Sequence, residues 1–124
     1  MLFTSTSFEL HVRDLAAARH FYVDQLGLPV LQETSAINLL AVLAGTSRLS
    51  IFGDRSDTFG KPLSQLTLGT QDIDSTIAQL RARGVTVEGQ PVEAAGFMRF
   101  VVISDPEGNS VGIAQHLRDP LAAI

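Results

Sequence analysis

The segment SFELHVRDLAAARHFYVDQLGLP, residues 7–29, decides the fold. At its start, Phe8, Leu10 and Val12 alternate with polar residues, and this period of two is typical of a half-buried strand. Asp14 then offers a carboxylate to the free N–H groups of a first helical turn, and apolar residues follow at helical spacing. The segment therefore predicts a strand that is followed directly by a helix.

A second copy of this pattern, QLTLGTQDIDSTIAQLRARGV, begins at Gln65. Asp72 takes the place of Asp14 as the N-cap, and Gly84 predicts the end of the second helix as Gly27 does for the first. A duplicated strand–helix unit indicates two halves of the same architecture.

Further strands are predicted after each helix. They cover residues 30–33, 37–44, 48–52, 85–87, 98–104 and 110–115, with a loop at 90–96 and a type I turn at Asp105-Pro106-Glu107-Gly108. The sequence thus predicts a single α+β domain of two tandem βαβββ modules. Its parts are module 1 at about 5–53, a linker at 54–62, module 2 at about 63–117 and a C-terminal tail at 118–124.

Composition excludes several classes of function. The chain has 9 basic and 13 acidic residues, and it has no basic stripe that would bind a row of phosphates, so we expect no nucleic-acid partner. The absence of cysteine excludes disulfides and thiolate chemistry. No apolar run is long enough for a bilayer or a signal peptide, so we expect a cytoplasmic protein without a membrane partner.

Several motifs carry a resemblance to a known family. The two strand–helix units, the Phe21-Tyr22 pair, the Leu26-Gly27 pair and the DPEGN sequence at 105–109 together resemble the vicinal oxygen chelate superfamily, which includes glyoxalase I, bleomycin resistance proteins and extradiol dioxygenases. The resemblance implies that the modules form a curled mixed sheet around a cup, which is often completed across a homodimer. It also implies that one face of each sheet packs on the helix and the other lines the cup.

Metal enzymes of this superfamily use one side chain from each of four positions in the cup. The resemblance places these positions at Ser7, Ser50, Gln65 and Gly112. A divalent ion needs three or four convergent His or carboxylate donors, and this set offers two hydroxyls, one amide and no side chain from glycine. We therefore expect no metal ion and no cofactor.

Glu9 and His11 are the candidates for catalysis, because residues i and i+2 of a strand share a face, here the cup face. The alternative is that Glu9 anchors an arginine and His11 makes ordinary hydrogen bonds at the rim. The predicted ligand-binding residues are Ser7, Glu9, His11, Arg48, Ser50, Phe52, Gln65, Thr67, Arg99 and Gly112. Arg99 would bind a ligand carboxylate, or it is simply an exposed arginine of a strand.

Small residues at the second module's cup positions leave room for a ligand, unless the side chains of Phe97, Met98 and Phe100 fill it. The leading hypothesis is a metal-free, bleomycin-resistance-like homodimer that sequesters a small organic, antibiotic-like molecule. The acidic balance and Glu9 would suit a cationic or polar aromatic ligand.

The alternative hypothesis is an enzyme of the lyase, isomerase or dioxygenase type. It would use Glu9 and His11 as acid and base, or a relocated metal site drawn from Glu9, His11, Gln65 and His116. A third hypothesis is a subunit with no small ligand, which a filled cup and an apolar surface patch would distinguish.

Overall fold

The structure is a computed structural model that describes residues 2, 5–53, 66–94, 96 and 98–118. The first half consists of β1 (Ser7–His11), α1 (Leu15–Arg19), a π-helical segment (His20–Gln25), β2 (Val30–Thr34), a 3-10 turn (Ser35–Ile37), β3 (Leu39–Ala44) and β4 (Ser47–Phe52). The second half consists of β5 (Leu66–Gly69), α2 (Ile73–Ala82), β6 (Val92–Ala94), β7 (Met98–Ser104) and β8 (Ser110–His116).

Each half forms one four-stranded mixed sheet. Sheet A has the strand order β1-β4-β3-β2, and sheet B has the matching order β5-β8-β7-β6. In both, the first strand runs parallel to the last, and the other pairs are antiparallel. The predicted tandem βαβββ fold is confirmed.

The predicted helix ends are also confirmed. The carboxylate of Asp14 accepts a hydrogen bond from the Ala17 N–H at 3.0 Å, and that of Asp72 accepts one from the Ser75 N–H at 3.1 Å. Gly27 and Gly84 end the two helical segments with φ angles of +75° and +83°, which glycine adopts without steric cost.

The hydrophobic core lies on the side of each sheet that faces the helices. Residues of both sheets and both helices form one buried cluster. Sheet A contributes Leu10, Leu40, Val42, Leu49 and Ile51, and sheet B contributes Val101, Ile103, Val111 and Ile113. The opposite side of each sheet, called here its open face, is therefore the side that is available for a ligand.

Among the described residues, polar contacts between three pairs of residues join the two halves. The Tyr22 hydroxyl donates to the Asp105 carboxylate at 2.7 Å, and both residues are buried. Gln25 donates to the Arg83 carbonyl at 3.2 Å, while the Arg83 guanidinium donates to the Gln25 carbonyl at 3.2 Å. The Arg13 N–H donates to the Glu107 carboxylate at 3.1 Å. Burial and the bond to Asp105 raise the pKa of Tyr22 far above its ordinary value.

The structure corrects one predicted strand. Residues 85–87 are not a strand, although Val85 and Val87 are buried as in a strand pattern. The Arg81 guanidinium donates to the Val87 carbonyl at 2.8 Å and to the Gly89 carbonyl at 3.1 Å, so side-chain donors satisfy this backbone. The strand that pairs with β7 is β6, which lies inside the predicted loop at 90–96.

A second correction concerns Phe8, which is 42% exposed instead of packing on the helix. Its strand, β1, lies at the edge of sheet A, and only its C-terminal end is covered. The predicted turn at 105–108 is confirmed by a hydrogen bond from the Gly108 N–H to the Asp105 carbonyl at 3.0 Å.

Some predictions fall outside the described residues. They are the linker at 54–62, the C-terminal tail beyond Arg118, and the side chains of Gln65 and Phe97. Within the described part of the chain, neither helix has the length and apolar character needed to cross a bilayer.

Candidate functional site

The open face of sheet A brings together five of the predicted ligand-binding residues. Strand pairing places Glu9 beside Ser50 and His11 beside Phe52, while Arg48 lies two residues before Ser50 on β4. Their alternation with the buried Leu49 and Ile51 places these five side chains on the face away from the helix. Ser7 pairs with Arg48 at the outer end of the same face.

Arg48 is held in place along this face by two neutral side chains. Its Nε donates to the Ser50 hydroxyl at 3.0 Å, and its Nη2 donates to the Gln32 carbonyl oxygen at 2.7 Å. The Gln32 amide nitrogen in turn donates to the Thr34 hydroxyl at 3.0 Å. The guanidinium is therefore oriented before any ligand arrives.

His11 and Phe52 form a stacked aromatic pair, called here the aromatic surface, beside this arginine. Their rings stack with centroids 5.5 Å apart and an interplanar angle of 17°. The His11 Nε2 atom lies 3.7 Å from the Glu9 carboxylate, and the two side chains are 25% and 66% exposed. Glu9 and His11 are thus adjacent on one face, as the sequence predicts, while Glu9 extends into solvent.

The four positions that the resemblance assigns to a metal ion do not fit one. Ser50 accepts a hydrogen bond from a guanidinium, which places a fixed positive charge where a divalent ion would need an anionic ligand. Ser7 offers an exposed hydroxyl, and Gly112 has no side chain. Gln65 lies outside the described residues. No group of three or more His, Asp or Glu side chains suited to a metal ion occurs within the described ranges.

Two predicted site residues lie on the open face of sheet B. Thr67 pairs with Gly112 on its open face. Thr67 and Gly69 also line a cavity of about 260 Å³ between the two halves, where Leu26 and Leu28 of the first half face Leu80 of α2. These residues belong to a space distinct from the Arg48 side chain and the aromatic pair.

Arg99 is placed elsewhere by the structure. It alternates with the open-face residues of β7, and its guanidinium donates to the two carboxylate oxygens of Asp74 on α2 at 3.1 and 3.3 Å. These hydrogen bonds and the charge of Asp74 raise the pKa of Arg99 above its ordinary value. Because Arg99 lies on the helix side of sheet B, we leave it out of the candidate site.

Sequence reasoning missed Gln32, which holds the guanidinium of Arg48. The signal was available, because Gln32 and Thr34 are polar residues two positions apart on β2. Their neighbours Leu31 and Glu33 are one apolar and one charged residue, so the strand shows no regular alternation in the sequence.

Comparison with known proteins identifies the relatives of this chain. The family described as Glyoxalase/Bleomycin resistance protein/Dioxygenase superfamily matches residues 5–113. Among proteins with curated functions, none matches the sequence. Two solved structures from Streptomyces sp. CB03234 are similar: TnmS3, an antibiotic binding protein, and a glyoxalase/bleomycin resistance protein.

TnmS3 is 28% identical over 94% of this chain and 98% of its own, with a TM-score of 0.76. The second Streptomyces protein is 29% identical over 90% of this chain and 100% of its own, with a TM-score of 0.72. Lactoylglutathione lyase from Agrobacterium tumefaciens is 21% identical over 94% of this chain and 97% of its own, with a TM-score of 0.73, and it shows likeness of fold alone.

Proposed function

Because this chain belongs to the glyoxalase/bleomycin resistance protein/dioxygenase superfamily, we propose that it binds a small organic molecule on the open face of sheet A without using a metal ion. In this proposal the protein works by sequestration, like the bleomycin-resistance-like members of the superfamily. The similarity to TnmS3, an antibiotic binding protein, supports an antibiotic-like ligand. Fold alone would not support this choice, since one fold serves many chemistries.

The observation that carries the proposal is the bond between Arg48 and Ser50 at 3.0 Å. Ser50 is one of the four positions that the resemblance assigns to a metal ion, and this bond pairs its hydroxyl with a cation. The stacked rings of His11 and Phe52 lie beside it and provide an aromatic wall. Small-molecule sites are concave and combine aromatic walls with a few oriented polar groups, so this face supplies one wall of such a site.

We further propose that the protein acts as a homodimer. On the open face of sheet B, the side chains of Val92 and Val102 are 59% and 48% exposed. A second copy that packs its sheet A near this surface would cover these apolar groups and enclose the ligand. Size-exclusion chromatography with light scattering should give a dimer, and Val102→Glu should shift it to a monomer. A monomeric wild-type protein would reject this arrangement.

The metal-free part of the proposal is tested by thermal denaturation. Any ion that binds the native state raises the melting temperature by mass action. Addition of Mn²⁺, Ni²⁺ or Zn²⁺ to protein freed of metal by a chelator should leave the melting temperature unchanged. Near-stoichiometric metal in the purified protein, together with a raised melting temperature, would overturn it.

The ligand-binding part is tested by screening planar organic compounds, including antibiotics, for a dose-dependent rise in melting temperature. Phe52→Ala should abolish the rise because it removes half of the stacked surface. Phe8→Ala is the matched control, since Phe8 is a phenylalanine of sheet A that is 42% exposed and lies outside the site. Equal loss in both variants would contradict a site on this face.

A metal-independent enzyme is the second candidate function, and the 3.7 Å contact between the His11 ring and the Glu9 carboxylate favours it. In this case Glu9 would take a proton from the substrate and His11 would return one. Glu9→Gln separates the two functions, because an enzyme would lose turnover while a binding protein would keep most of its affinity.

A further inference from the structure

Arg48 has different partners from the other arginines whose contacts the structure gives. Arg19 bonds to the Glu33 carboxylate and Arg99 to the Asp74 carboxylate. Arg81 and Arg83 donate to backbone carbonyls. Arg48 instead bonds only to a serine hydroxyl and a glutamine amide, and no carboxylate in the described ranges lies within ion-pair distance of it. Among the described residues, its positive charge therefore has no carboxylate partner.

The guanidinium also keeps donors for a further group. A guanidinium has five N–H donors in a planar fork, which matches the two oxygens of a carboxylate. Two of these donors are used, by Ser50 and Gln32, so three remain among the contacts of the described residues. Because the side chain is partly buried, an anion bound there would be less screened than one at the surface.

The position of this cation relative to the aromatic surface limits the size of the ligand. The Nε atom of Arg48 lies beside Ser50, and Phe52 is the next residue on the same face of β4. Residues two apart on a strand are separated by roughly 7 Å. An anionic group at the guanidinium and a ring on Phe52 thus fit one molecule in which the acid is attached directly to the ring.

Glu9 does not block an anion at this point. Its carboxylate is turned toward His11 and its side chain is 66% exposed, so water screens its charge. Its repulsion instead disfavours an acid group at the His11 end of the surface. The two charges together favour one orientation, with the acid toward Arg48.

We propose that the ligand of this face is a planar aromatic acid, whose carboxylate or equivalent anionic oxygens bind Arg48 while its ring packs against the stacked pair of Phe52 and His11. This assignment rests on the proposed function and names the chemical class of its ligand. It differs from the cationic ligand that composition and Glu9 suggest, because the local cation outweighs the net charge of −4.

The test compares two probes of the same shape, 2-naphthoate and 2-naphthamide, by isothermal titration calorimetry on the full chain. We expect the wild-type protein to bind the acid at least about tenfold more tightly than the neutral amide, since charge-assisted bidentate hydrogen bonds are about twice as strong as neutral ones. Arg48→Met should bring the ratio close to one. Arg48→Lys should keep part of the preference, since it retains the charge without the fork.

Arg99→Met is the matched control, because Arg99 also lies on a strand but is bonded to Asp74 away from the site. It should leave the preference for the acid unchanged. Equal binding of acid and amide to the wild-type protein would overturn the proposal without needing any variant to fold. Loss of the preference in Arg99→Met as large as in Arg48→Met would also overturn it.

These outcomes separate this proposal from the proposed function. If both probes bind equally and Phe52→Ala abolishes both, the aromatic surface stands and the anion site is rejected. If neither probe binds, the aromatic-acid assignment is rejected, and the proposed function is then judged by the compound screen with Phe52→Ala and Phe8→Ala.

Discussion

The open faces of the two sheets have the same strand topology and opposite chemistry. Sheet A presents a carboxylate, an imidazole, a guanidinium and a phenyl ring, whereas the matching positions of sheet B carry small residues. The matched pairs are Glu9 and Thr67, His11 and Gly69, Arg48 and Ser110, and Phe52 and Ala114. The buried core on the helix sides of both sheets is apolar. Strand pairing and burial on the helix sides therefore specify the fold. The residues of the open faces can differ between the two halves and serve binding.

The contact between the two halves joins equivalent positions of their shared sequence pattern. Gln25 and Arg83 are 58 residues apart, the same separation as the two N-caps Asp14 and Asp72, and they bond to each other reciprocally at the ends of the two helices. Equivalent positions that contact each other lie near an axis of approximate twofold symmetry. Departures from that symmetry elsewhere show where each half has its own role.

The largest expected effect comes from the asymmetric contact between Tyr22 and Asp105. The position that matches Tyr22 in the second half is Leu80, so this bond has no counterpart. The Asp105 carboxylate also accepts from the N–H groups of Glu107 and Asn109. Asp105→Ala leaves these donors unpaired and should cost about 3 kcal/mol of unfolding free energy, measured by urea denaturation.

Tyr22→Phe removes only one of these hydrogen bonds and should cost about 1 kcal/mol. If Asp105→Ala costs no more than Tyr22→Phe, the carboxylate does not hold the turn and the helix together, and the junction would depend on apolar packing alone.

The next effect tests how each half joins its last strand to its helix. Gly53 lets α1 approach closely, since a Cβ built on it would lie 2.3 Å from the Leu15 Cβ. At the matching position, Gln115 accepts a hydrogen bond from the Ile73 N–H at 3.0 Å. Gly53→Ala should cost about 2 kcal/mol through overpacking. Gln115→Ala should cost about 1 kcal/mol through a lost cap. The reverse order would mean that the first half relaxes more easily than its contacts indicate.

The sequence predicts the part of the molecule that depends on local pattern. Strand alternation, the two Asp caps and the glycine ends fixed both βαβββ units, and alternation also placed Glu9 and His11 on the correct face. Three features depended on side-chain contacts that the strand and helix periodicities do not reveal. Arg81 replaced a strand at 85–87 with bonds to carbonyls, Asp74 held Arg99 on the helix side, and Gln32 held Arg48.

A smaller effect is the pH dependence of the unfolding free energy that arises from Tyr22, which has no counterpart in the second half. Tyr22 is the single tyrosine of the chain, and burial and Asp105 raise its pKa above the ordinary value of about 10. The folded state thus keeps the proton that the unfolded state loses, so this contribution is complete below pH 10 and declines above it. The unfolding free energy should fall by up to about 1.4 kcal/mol per pH unit there.

Tyrosinate absorbance near 295 nm should therefore appear only as the chain unfolds, because no other tyrosine contributes. Tyr22→Phe should remove this slope from the alkaline unfolding curve while leaving slopes that arise from other groups. Ionisation of Tyr22 in the folded protein at pH 10 would show that its hydroxyl is accessible and that the bond to Asp105 is weak.

The smallest expected effect on stability concerns the open face itself. Glu9→Gln keeps the size of a side chain that is 66% exposed, so the unfolding free energy should change by less than about 0.5 kcal/mol. Removing its charge should strengthen binding of 2-naphthoate slightly, because the anion then meets less repulsion, while binding of 2-naphthamide stays the same. Glu9→Gln makes this position neutral, as Thr67 already is at the matching position of sheet B. The variant therefore tests whether the difference in charge between the two open faces serves binding. A loss of stability above 1 kcal/mol would place Glu9 among the structural residues, and the chemical contrast between the two faces would then reflect folding instead of binding.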